Sequence, residues 1–362
     1  MSSLEEALEQ YPREPLLRGP TPLHRLDYLS DDLGVNFYIK RDDLTEMALG
    51  GDKPRKMEYE MAKAVAEGAD TLVTCGSAQS NHARLTTATA RKMGLKAYVV
   101  LSNDEYKSFQ GNLLTVYLMG AEVRIVDTED HWDLEKHVTD LLEELKAKGL
   151  KPYFVPVSGS TPLSSLGYVR GGLEMIRQLD ELNVKLDAVY TPFGTGASFT
   201  SILMTMRDKG IECPVIGISV NRKGERLREN LEHWWSSVSE LLKQDPTRDR
   251  GKYEIYDEFV GREYGDPTEA CLDALMKMAR TEAVLLDPVY SAKTFSGFLA
   301  HHKEGRWKKG DNILMVHTGG VPAIFAYHKF IEAHLKKRGV AIYDFELNKK
   351  DDIRPSSPHP VS

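Results

Sequence analysis

Lys53 stands between a diglycine and the start of a helical pattern, in the stretch GGDKPRK at residues 50–56. A helix start disfavours positive charge, because the free backbone N–H groups there carry a partial positive charge of their own. An amine in such a place suits work as a nucleophile or a base. The stretch also packs three cations into four positions, which is typical of a solvated basic turn. These residues alone leave both interpretations open.

Two further polar segments follow apolar runs. SAQSNHAR comes after TLVTCG and places Ser80 and Asn81 at the mouth of a helix, where free N–H groups bind anions such as carboxylates. The alternative is that one of them is simply the N-cap of that helix. TGGVPA comes after NILMVH, and there Thr318 offers a hydroxyl while the glycines permit close approach to a flat ligand. A plain turn is the alternative.

The segment after AVYTPFG is small and rich in hydroxyls, and it leads into a helix. Such a turn lets backbone amides close around a phosphate, although a tight connection between strand and helix would have the same composition. It is neither a Walker A loop nor a GxGxxG motif. Its residues are Gly194, Thr195, Gly196, Ala197 and Ser198.

Two tyrosines lie on loops beside glycine or proline. They are Tyr264 in REYGDP and Tyr290 in LLDPVYSAK. Loop tyrosines can stack on a ring or transfer a proton, but most of them only pack against neighbours.

The elements that position these residues alternate between apolar runs and amphipathic stretches. The amphipathic stretches include HARLTTATARKMG, WDLEKHVTDLLEELKAKG and LGYVRGGLEMIRQLDEL. This alternation predicts an α/β protein with doubly wound parallel sheets, in which ligands bind off the carboxyl ends of the strands. The stretch 241–266 is polar and predicts an irregular surface excursion. Strands are predicted at 35–40, 71–76, 96–102, 121–127, 151–157, 188–194, 214–220 and 312–320.

The strands group into two units along the chain. Four of them, between about 71 and 157, predict a small domain, and those from 188 onward predict a larger one to which the N-terminal strand returns. We therefore expect a large domain from 1–58 plus 167–345 and a small domain from 59–166. The end, 346–362, has the composition of a flexible tail.

Composition narrows the class of function. The formal net charge of −7 and the pI near 5.9 offer no basic face for nucleic acid. No run of about 18 apolar residues and no signal sequence predicts membrane insertion or secretion, so we expect a cytoplasmic protein. The three cysteines form no CxxC pair, which argues against a bound metal. Small-molecule chemistry is the expectation.

Taken together, the segments resemble one enzyme family. TPLHRLDYLSDDLGVNFYIKRDDL, GGDKPRK, SAQSNHAR, GTGAS, EYG, DPVYSAK and HTGG occur in the order seen in pyridoxal-phosphate (PLP) enzymes of the tryptophan-synthase-β-like fold, known as fold type II. The chain is most similar to the subgroup of D-cysteine desulfhydrase and 1-aminocyclopropane-1-carboxylate (ACC) deaminase. The resemblance implies two doubly wound parallel-sheet domains with the cofactor between them, and a homodimer.

The resemblance also implies a role for each motif. Lys53 would bond covalently to the cofactor aldehyde, Asn81 would bind the phenolic oxygen, and Ser80 would help move protons near the substrate α-carbon. Tyr264 and Tyr290 would be the two active-site tyrosines. Ser291 and Thr318 would lie near the pyridine nitrogen. The turn Gly194, Thr195, Gly196, Ala197 and Ser198 would hold the phosphate.

The sequence departs from the family pattern at three places. Asp52 and Pro54 replace the usual asparagine and threonine on either side of the lysine, and we can name no partner for the Asp52 carboxylate. Phe193 and Ser198 stand where glycine is usual in the phosphate turn. Ser291 stands where the deaminases carry glutamate. A hydroxyl leaves the pyridine nitrogen mostly neutral, which favours β-elimination over opening of a cyclopropane ring.

The resemblance therefore predicts a PLP-dependent β-elimination lyase that acts on a small amino acid. D-cysteine desulfhydrase activity, which yields pyruvate, hydrogen sulfide and ammonia, is the main expectation. L-cysteate sulfo-lyase and ACC deaminase are the alternatives within the family. Two alternatives of other classes are a PLP-fold binding module without catalysis and a nucleotide-binding α/β protein.

Overall fold

The computed structural model describes residues 3–103, 108–128 and 134–342, and within these ranges ten strands form two separate sheets. The six-stranded sheet has the order β1-β2-β10-β7-β8-β9, and the four-stranded sheet has the order β5-β4-β3-β6. Every pair is parallel except β1 and β2, which are antiparallel. The strands are β1 (Leu23–Arg25), β2 (Asn36–Arg41), β3 (Thr71–Gly76), β4 (Lys96–Ser102), β5 (Glu122–Val126), β6 (Pro152–Val155), β7 (Ala188–Phe193), β8 (Val215–Ser219), β9 (Tyr253–Tyr256) and β10 (Asn312–His317).

The α/β fold class is confirmed, and one local expectation was wrong. The stretch 241–266 contains strand β9, which pairs in parallel with β8 at the edge of the larger sheet. Its residues YEIY are all only partly buried, because an edge strand has a neighbour on one side only. The residues around β9 are polar, so the sequence pattern did not predict a strand there.

Thirteen α-helices lie within the described ranges and cover the sheets. Several begin at the residues that commonly start helices: Thr161 caps α7 in a capping box followed by Pro162, and Thr268 caps α10. The helices are α1 (Leu4–Leu8), α2 (Asp27–Leu33), α3 (Lys53–Ala66), α4 (Asn81–Lys92), α5 (Gly111–Leu118), α6 (Glu135–Ala147), α7 (Pro162–Glu181), α8 (Ala197–Asp208), α9 (Arg226–Leu241), α10 (Glu269–Glu282), α11 (Ser291–Lys303), α12 (Ala323–Ala326) and α13 (His328–Lys337).

Each sheet has an apolar core on both faces, as the near-continuous apolar strands require. Strand β7 is buried along its whole length: Val189 and Phe193 belong to one core, while Ala188 and Tyr190 belong to the other. In the smaller sheet, Leu72 and Val73 of β3 point to opposite cores in the same way.

Helix α3 connects the two sheets, and it packs closely against α7. A Cβ atom on Gly167 of α7 would lie 2.1 Å from the backbone oxygen of Arg55, and one on Gly171 would lie 3.3 Å from its Cδ. The glycines of LGYVRGG therefore let the two helices approach until their backbones are nearly in contact. This contact fixes the first turn of α3, where Lys53 lies.

The predicted division of the chain stays a prediction. The strands of the smaller sheet all lie between residues 71 and 155. The boundaries expected at 58/59 and 166/167 fall inside α3 and α7, so they cut through helices and not through loops. The expected tail, 346–362, lies outside the described residues.

Candidate active site

A cleft of about 850 Å³, open mouth included, opens at the carboxyl ends of strands from both sheets. This is where parallel sheets are expected to bind ligands. Ala197 and Ser291 are not among the residues that line it. Ten of the twelve predicted site residues do line it: Lys53, Ser80, Asn81, Gly194, Thr195, Gly196, Ser198, Tyr264, Tyr290 and Thr318.

The glycine pairs of GGDK and HTGG pack against each other, and this contact determines the position of Lys53. A Cβ atom on Gly319 would lie 2.5 Å from the Cα of Gly51, so no larger residue fits. Both glycines have positive φ, at +134° for Gly51 and +97° for Gly319, which glycine adopts without strain. The backbone N–H of Asp52 donates to the carbonyl of Thr318 at 2.9 Å. The start of α3 is therefore bound to the end of β10.

Lys53 begins α3 and extends into the cleft, with 16% of its side chain exposed. Its Nζ lies 2.7 Å from Oδ1 of Asp52, which is itself buried. The partner of the Asp52 carboxylate, which could not be named from the sequence, is thus the amine of Lys53.

The turn after β7 presents an uncapped helix start to the cleft. Gly196 is the N-cap of α8 with φ +95°, and as a glycine it has no side chain to bond the first turn of the helix. The first-turn N–H groups of α8 are therefore oriented to receive an anion. The indole N–H of Trp234 donates to the Thr195 carbonyl at 2.8 Å, which fixes the orientation of the turn. Phe193 does not obstruct it, because its ring is buried and packs on Phe199.

A buried chain of hydrogen bonds orients the Asn81 amide. Nδ2 of Asn112 donates to Oδ1 of Asn81 at 2.8 Å, and Nε of Arg84 donates to Oδ1 of Asn112 at 2.6 Å. Arg84 also donates to the carbonyl of Gly50 at 2.9 Å, so the chain reaches the diglycine. With its oxygen used, Asn81 has its NH₂ group available for an acceptor in the cleft.

Ser80 is the N-cap of α4, and it also lines the cleft, so its role in moving protons stays a prediction. Its Oγ accepts from the backbone N–H of Ala83 at 3.1 Å. A hydroxyl that accepts a cap bond still has its own proton to donate.

Tyr264 and Tyr290 form a pair of hydroxyls in the cleft. Their oxygens lie 2.6 Å apart, and their rings meet edge to face at 6.1 Å. Burial, together with Tyr264, raises the pKa of the Tyr290 phenol well above its ordinary value. Tyr290 therefore stays protonated at neutral pH and can act as a hydrogen-bond donor.

Lys56 and His82 also line the cleft, and sequence reasoning missed both. Burial and the charge of Lys53 lower the pKa of Lys56 to about 7, and its Nζ has one long bond of 3.3 Å to Oγ of Ser160. Burial, Lys53 and Lys56 lower the pKa of His82 to about 3, so this ring is neutral. Lys56 lies three residues after Lys53, and this helical spacing puts both on one face of α3.

Ser158 and Asn221 were missed as well. Each lines the cleft, and in the part of the chain that the structure describes, Oγ of Ser158 and Oδ1 of Asn221 are buried without a hydrogen-bond partner. Ser158 also has an unusual φ of +59° for a residue other than glycine. Both residues follow strands, β6 and β8, so the rule that ligands bind off strand ends could have found them.

Ser291 lies at the start of α11 and not on the cleft wall. Its Oγ donates to Oδ1 of Asp287 at 2.6 Å and is completely buried. Asp287 also accepts backbone N–H bonds from Val289, Tyr290 and Ser291, so it holds the turn that leads into this helix. The assignment of Ser291 to the cofactor nitrogen stays a prediction.

The described ranges contain no candidate metal site and no candidate membrane-spanning helix. No group of three or more His, Cys, Asp or Glu side chains there could hold a metal ion. None of the described helices is both long and apolar enough to span a membrane.

The cleft suits a flat aromatic aldehyde that carries a phosphate. It combines an amine for the aldehyde, an uncapped helix start for the phosphate, and an amide and a threonine hydroxyl for polar atoms on a ring. The buried and unpartnered oxygen of Asn221 also requires a donor that the described residues do not supply. These donors fit pyridoxal phosphate.

Comparison with known proteins agrees with this chemistry. A family model described as "Pyridoxal-phosphate dependent enzyme" matches residues 15–319. D-cysteine desulfhydrase of Serratia proteamaculans (strain 568) is 38% identical over 331 residues, which cover 90% of this chain and 99% of the relative. A solved structure described as an ACC deaminase homologue is 34% identical, with a TM-score of 0.84 over 92% of this chain and all of the other. A fungal L-serine ammonia-lyase from Rhizomucor miehei shares the fold at 17% identity, with a TM-score of 0.66 over 88% of this chain and 98% of the other.

Proposed function

Because the chain belongs to the family of pyridoxal-phosphate dependent enzymes, we propose that it is a lyase that converts D-cysteine to pyruvate, hydrogen sulfide and ammonia. One observation carries the catalytic part of this proposal. Lys53 and the uncapped start of α8 line the same cleft, which supports a cofactor held by its aldehyde at one end and its phosphate at the other. The 38% identity to a D-cysteine desulfhydrase over nearly the whole relative supports the substrate.

Each binding residue then has a distinct part. The N–H groups at the start of α8, with the hydroxyls of Thr195 and Ser198, would hold the phosphate. The Asn81 amide would donate to the phenolic oxygen, and Thr318 would lie beside the ring nitrogen. Lys56 would supply a positive charge near Thr195, because its partner Ser160 lies 2.9 Å from the Thr195 hydroxyl.

The reaction needs a base at the substrate α-carbon, and it is helped by a hydrogen-bond donor near the sulfur. Bound pyridoxal phosphate supplies an electron sink for the charge that develops at the α-carbon. The amine of Lys53, when it is not bonded to the cofactor, takes the α-proton, and Ser80 donates a hydrogen bond to the substrate carboxylate. Sulfur leaves with the electron pair of the broken C–S bond as hydrosulfide, and the paired hydroxyls of Tyr264 and Tyr290 would donate a hydrogen bond to it.

Thr318 supports elimination as the reaction type. Beside a ring nitrogen, a hydroxyl leaves that nitrogen mostly neutral, which favours rapid loss of a β-substituent. ACC deaminase is a second candidate, because the solved ACC deaminase homologue shares 34% identity over 92% of this chain. Release of pyruvate from D-cysteine but no keto acid from ACC would distinguish the two.

The decisive experiment begins with the colour of the purified protein after addition of PLP. Borohydride reduction followed by peptide mass analysis should find the cofactor on Lys53. The reduced protein should be inactive, while the unreduced protein should release sulfide and pyruvate from D-cysteine. L-cysteate, β-chloroalanine and ACC complete the panel. A coloured protein that forms no keto acid from any of them would be a binding module and would contradict the lyase proposal.

The proposal extends to assembly and compartment. Phe109, Tyr117 and Leu118 form an exposed apolar group on and beside α5, which supports a homodimer. The three cysteines, which all lie within the described ranges, form no disulfide, and this supports a reducing, cytoplasmic environment. Sedimentation of the purified protein and of a Leu118→Asp variant would test the dimer. An unchanged monomer mass in both would refute it.

A further inference from the structure

Asp52 supplies the only carboxylate among the described residues that line the cleft. Its Oδ1 lies 2.7 Å from Nζ of Lys53, and only 6% of the residue is exposed. Asp52 is the N-cap of α3, but its side chain makes no cap hydrogen bond. The carboxylate therefore faces the lysine and does not serve the helix.

We propose that Asp52 is a positioning residue for proton transfer, whose carboxylate holds the ammonium that forms when Lys53 takes a proton from the substrate. This inference rests on the proposed role of Lys53. In that step the lone pair of Nζ bonds the α-proton, the electrons of the broken C–H bond stay with carbon, and Nζ becomes positive. The anion beside it keeps the proton on this amine and keeps the amine near the α-carbon.

The charges around the pair favour a carboxylate at position 52, where the family pattern has asparagine. Lys56 on the same helix is another buried cation, and the charges of the two lysines oppose each other. Arg84 on α4 adds a third positive group, while His82 on the same helix is neutral. Two further titratable groups that interact with Asp52 are the phenols of Tyr168 and Tyr290, which burial keeps protonated. Without Asp52, a protonated Lys53 would add charge to a cleft whose described lining residues supply no other carboxylate.

The test uses Asp52→Asn, which keeps the size of the side chain and its ability to cap a helix. Cofactor-free protein is labelled with trinitrobenzenesulfonate, and modification of Lys53 is followed by peptide mass analysis. In the wild type the Asp52 carboxylate holds the Lys53 ammonium at 2.7 Å, and the variant lacks this ion pair, so labelling at pH 7.5 should be on the order of tenfold faster in the variant. At pH 10, where ordinary lysine amines are largely able to react, the ion pair should matter less and the two rates should be closer. Glu67→Gln, which removes an exposed carboxylate near Lys63 on the same helix, is the matched control and should change neither rate.

Turnover of the holoenzyme gives the second readout. Asp52→Asn should lower kcat about tenfold with little change in KM, and Asp52→Glu should restore part of the loss. Equal labelling of variant and wild type at pH 7.5 would overturn the proposal. A difference that is the same at both pH values would also overturn it, because it would reflect access and not charge. Labelling needs no turnover, so these outcomes are separate from a failure of the lyase assay.

Discussion

Arg55 and Lys56 are neighbours on α3, and both are buried, yet their surroundings are opposite. Arg55 points away from the cleft and bonds the carboxylates of Asp42 and Glu174 and the hydroxyl of Thr21, at 2.8 to 3.0 Å. Lys56 points into the cleft and has one bond of 3.3 Å to Ser160. One buried charge is fully compensated, and the other is not.

The pKa values of the two side chains follow this difference. The carboxylates overcome the effect of burial at Arg55 and hold its pKa well above the ordinary value, whereas burial and Lys53 lower the pKa of Lys56 to about 7. A buried charge without a partner destabilises a fold and is kept where a ligand compensates it. We infer that the Arg55 side of α3 stabilises the fold and that the Lys56 side binds the cofactor.

Lys53→Ala should have the largest effect on activity, because it removes the amine on the cleft side of α3. We expect kcat for sulfide release to fall by at least about a thousandfold. Folding should be retained, since the position lies at a helix mouth and not in the core. Sulfide release and far-UV circular dichroism are the two measurements. A variant that is insoluble or unfolded would show instead that Lys53 has a structural role.

Arg55→Met should have the largest effect on stability, because it leaves Asp42 and Glu174 buried without their main partner. Breaking a buried pair in this way costs about 3–5 kcal/mol in the free energy of unfolding, measurable by urea denaturation. Lys63→Met, which breaks an exposed pair with Glu67 on the same helix, is the control and should cost less than about 1 kcal/mol. Similar costs for the two variants would remove the contrast between the two sides of α3.

The same variant should change the stability in acid. Arg55 and Lys40 hold the pKa of Asp42 at about 2 against the opposing effect of burial, below its ordinary value of 3.8. A carboxyl whose pKa is lower in the folded state stabilises the fold above pH 3.8, and this contribution is lost as the pH falls towards 2. Arg55→Met should raise this pKa, so acid unfolding should begin at a higher pH than in the wild type.

Lys56→Met should weaken cofactor binding while leaving the fold intact. A charged hydrogen bond contributes about 1.5–3 kcal/mol, which corresponds to a roughly ten- to hundredfold increase in Kd for PLP, measured by absorbance titration. The neighbouring Arg55 variant supplies the comparison, since it should reduce stability more than affinity. A Kd equal to that of the wild type would show that Lys56 does not contribute to phosphate binding.

The pH dependence of stability gives Lys56→Met a second readout. The pKa of Lys56 is about 7 in the folded protein and 10.5 as an ordinary value, so the unfolded chain binds more protons between these limits. The stability of cofactor-free wild type should therefore rise with pH from 7 to 10.5. The methionine variant should lose this rise, which denaturant titration at several pH values would detect.

The sequence predicted best what depends on local pattern. Strands β3 and β4 have the predicted bounds, because each is a continuous apolar run buried between helices. Strand β9 was missed, because its four half-buried residues gain their strand character from pairing with β8. Local pattern cannot reveal such a partner.

The candidate site, too, could be predicted only as far as local sequence pattern allows. Ten predicted residues line the cleft, and nine of them follow a strand or begin a helix, which are positions that can be read from the chain; Tyr264 lies on a loop. Lys56 was missed because its burial depends on the segment around Ser160, which is distant in the sequence. The partner of the Asp52 carboxylate could not be named because only the side-chain geometry at the start of α3 reveals it. Electrostatic environment is a property of the folded chain, so motif spacing predicted the location of the chemistry and not its charge balance.

Ser291→Ala should have the smallest effect on stability and activity. It tests whether Ser291 stabilises the fold, as Arg55 does, or contacts the cofactor, as we infer for Lys56. Its hydroxyl, like Arg55, is bonded to a buried carboxylate, and Asp287 would still keep three backbone donors after the change. We therefore expect a loss of about 1 kcal/mol in the free energy of unfolding and no change in the ratio of elimination to racemisation products. An altered product ratio with unchanged stability would instead favour a place for Ser291 beside the ring nitrogen, as the family resemblance predicts.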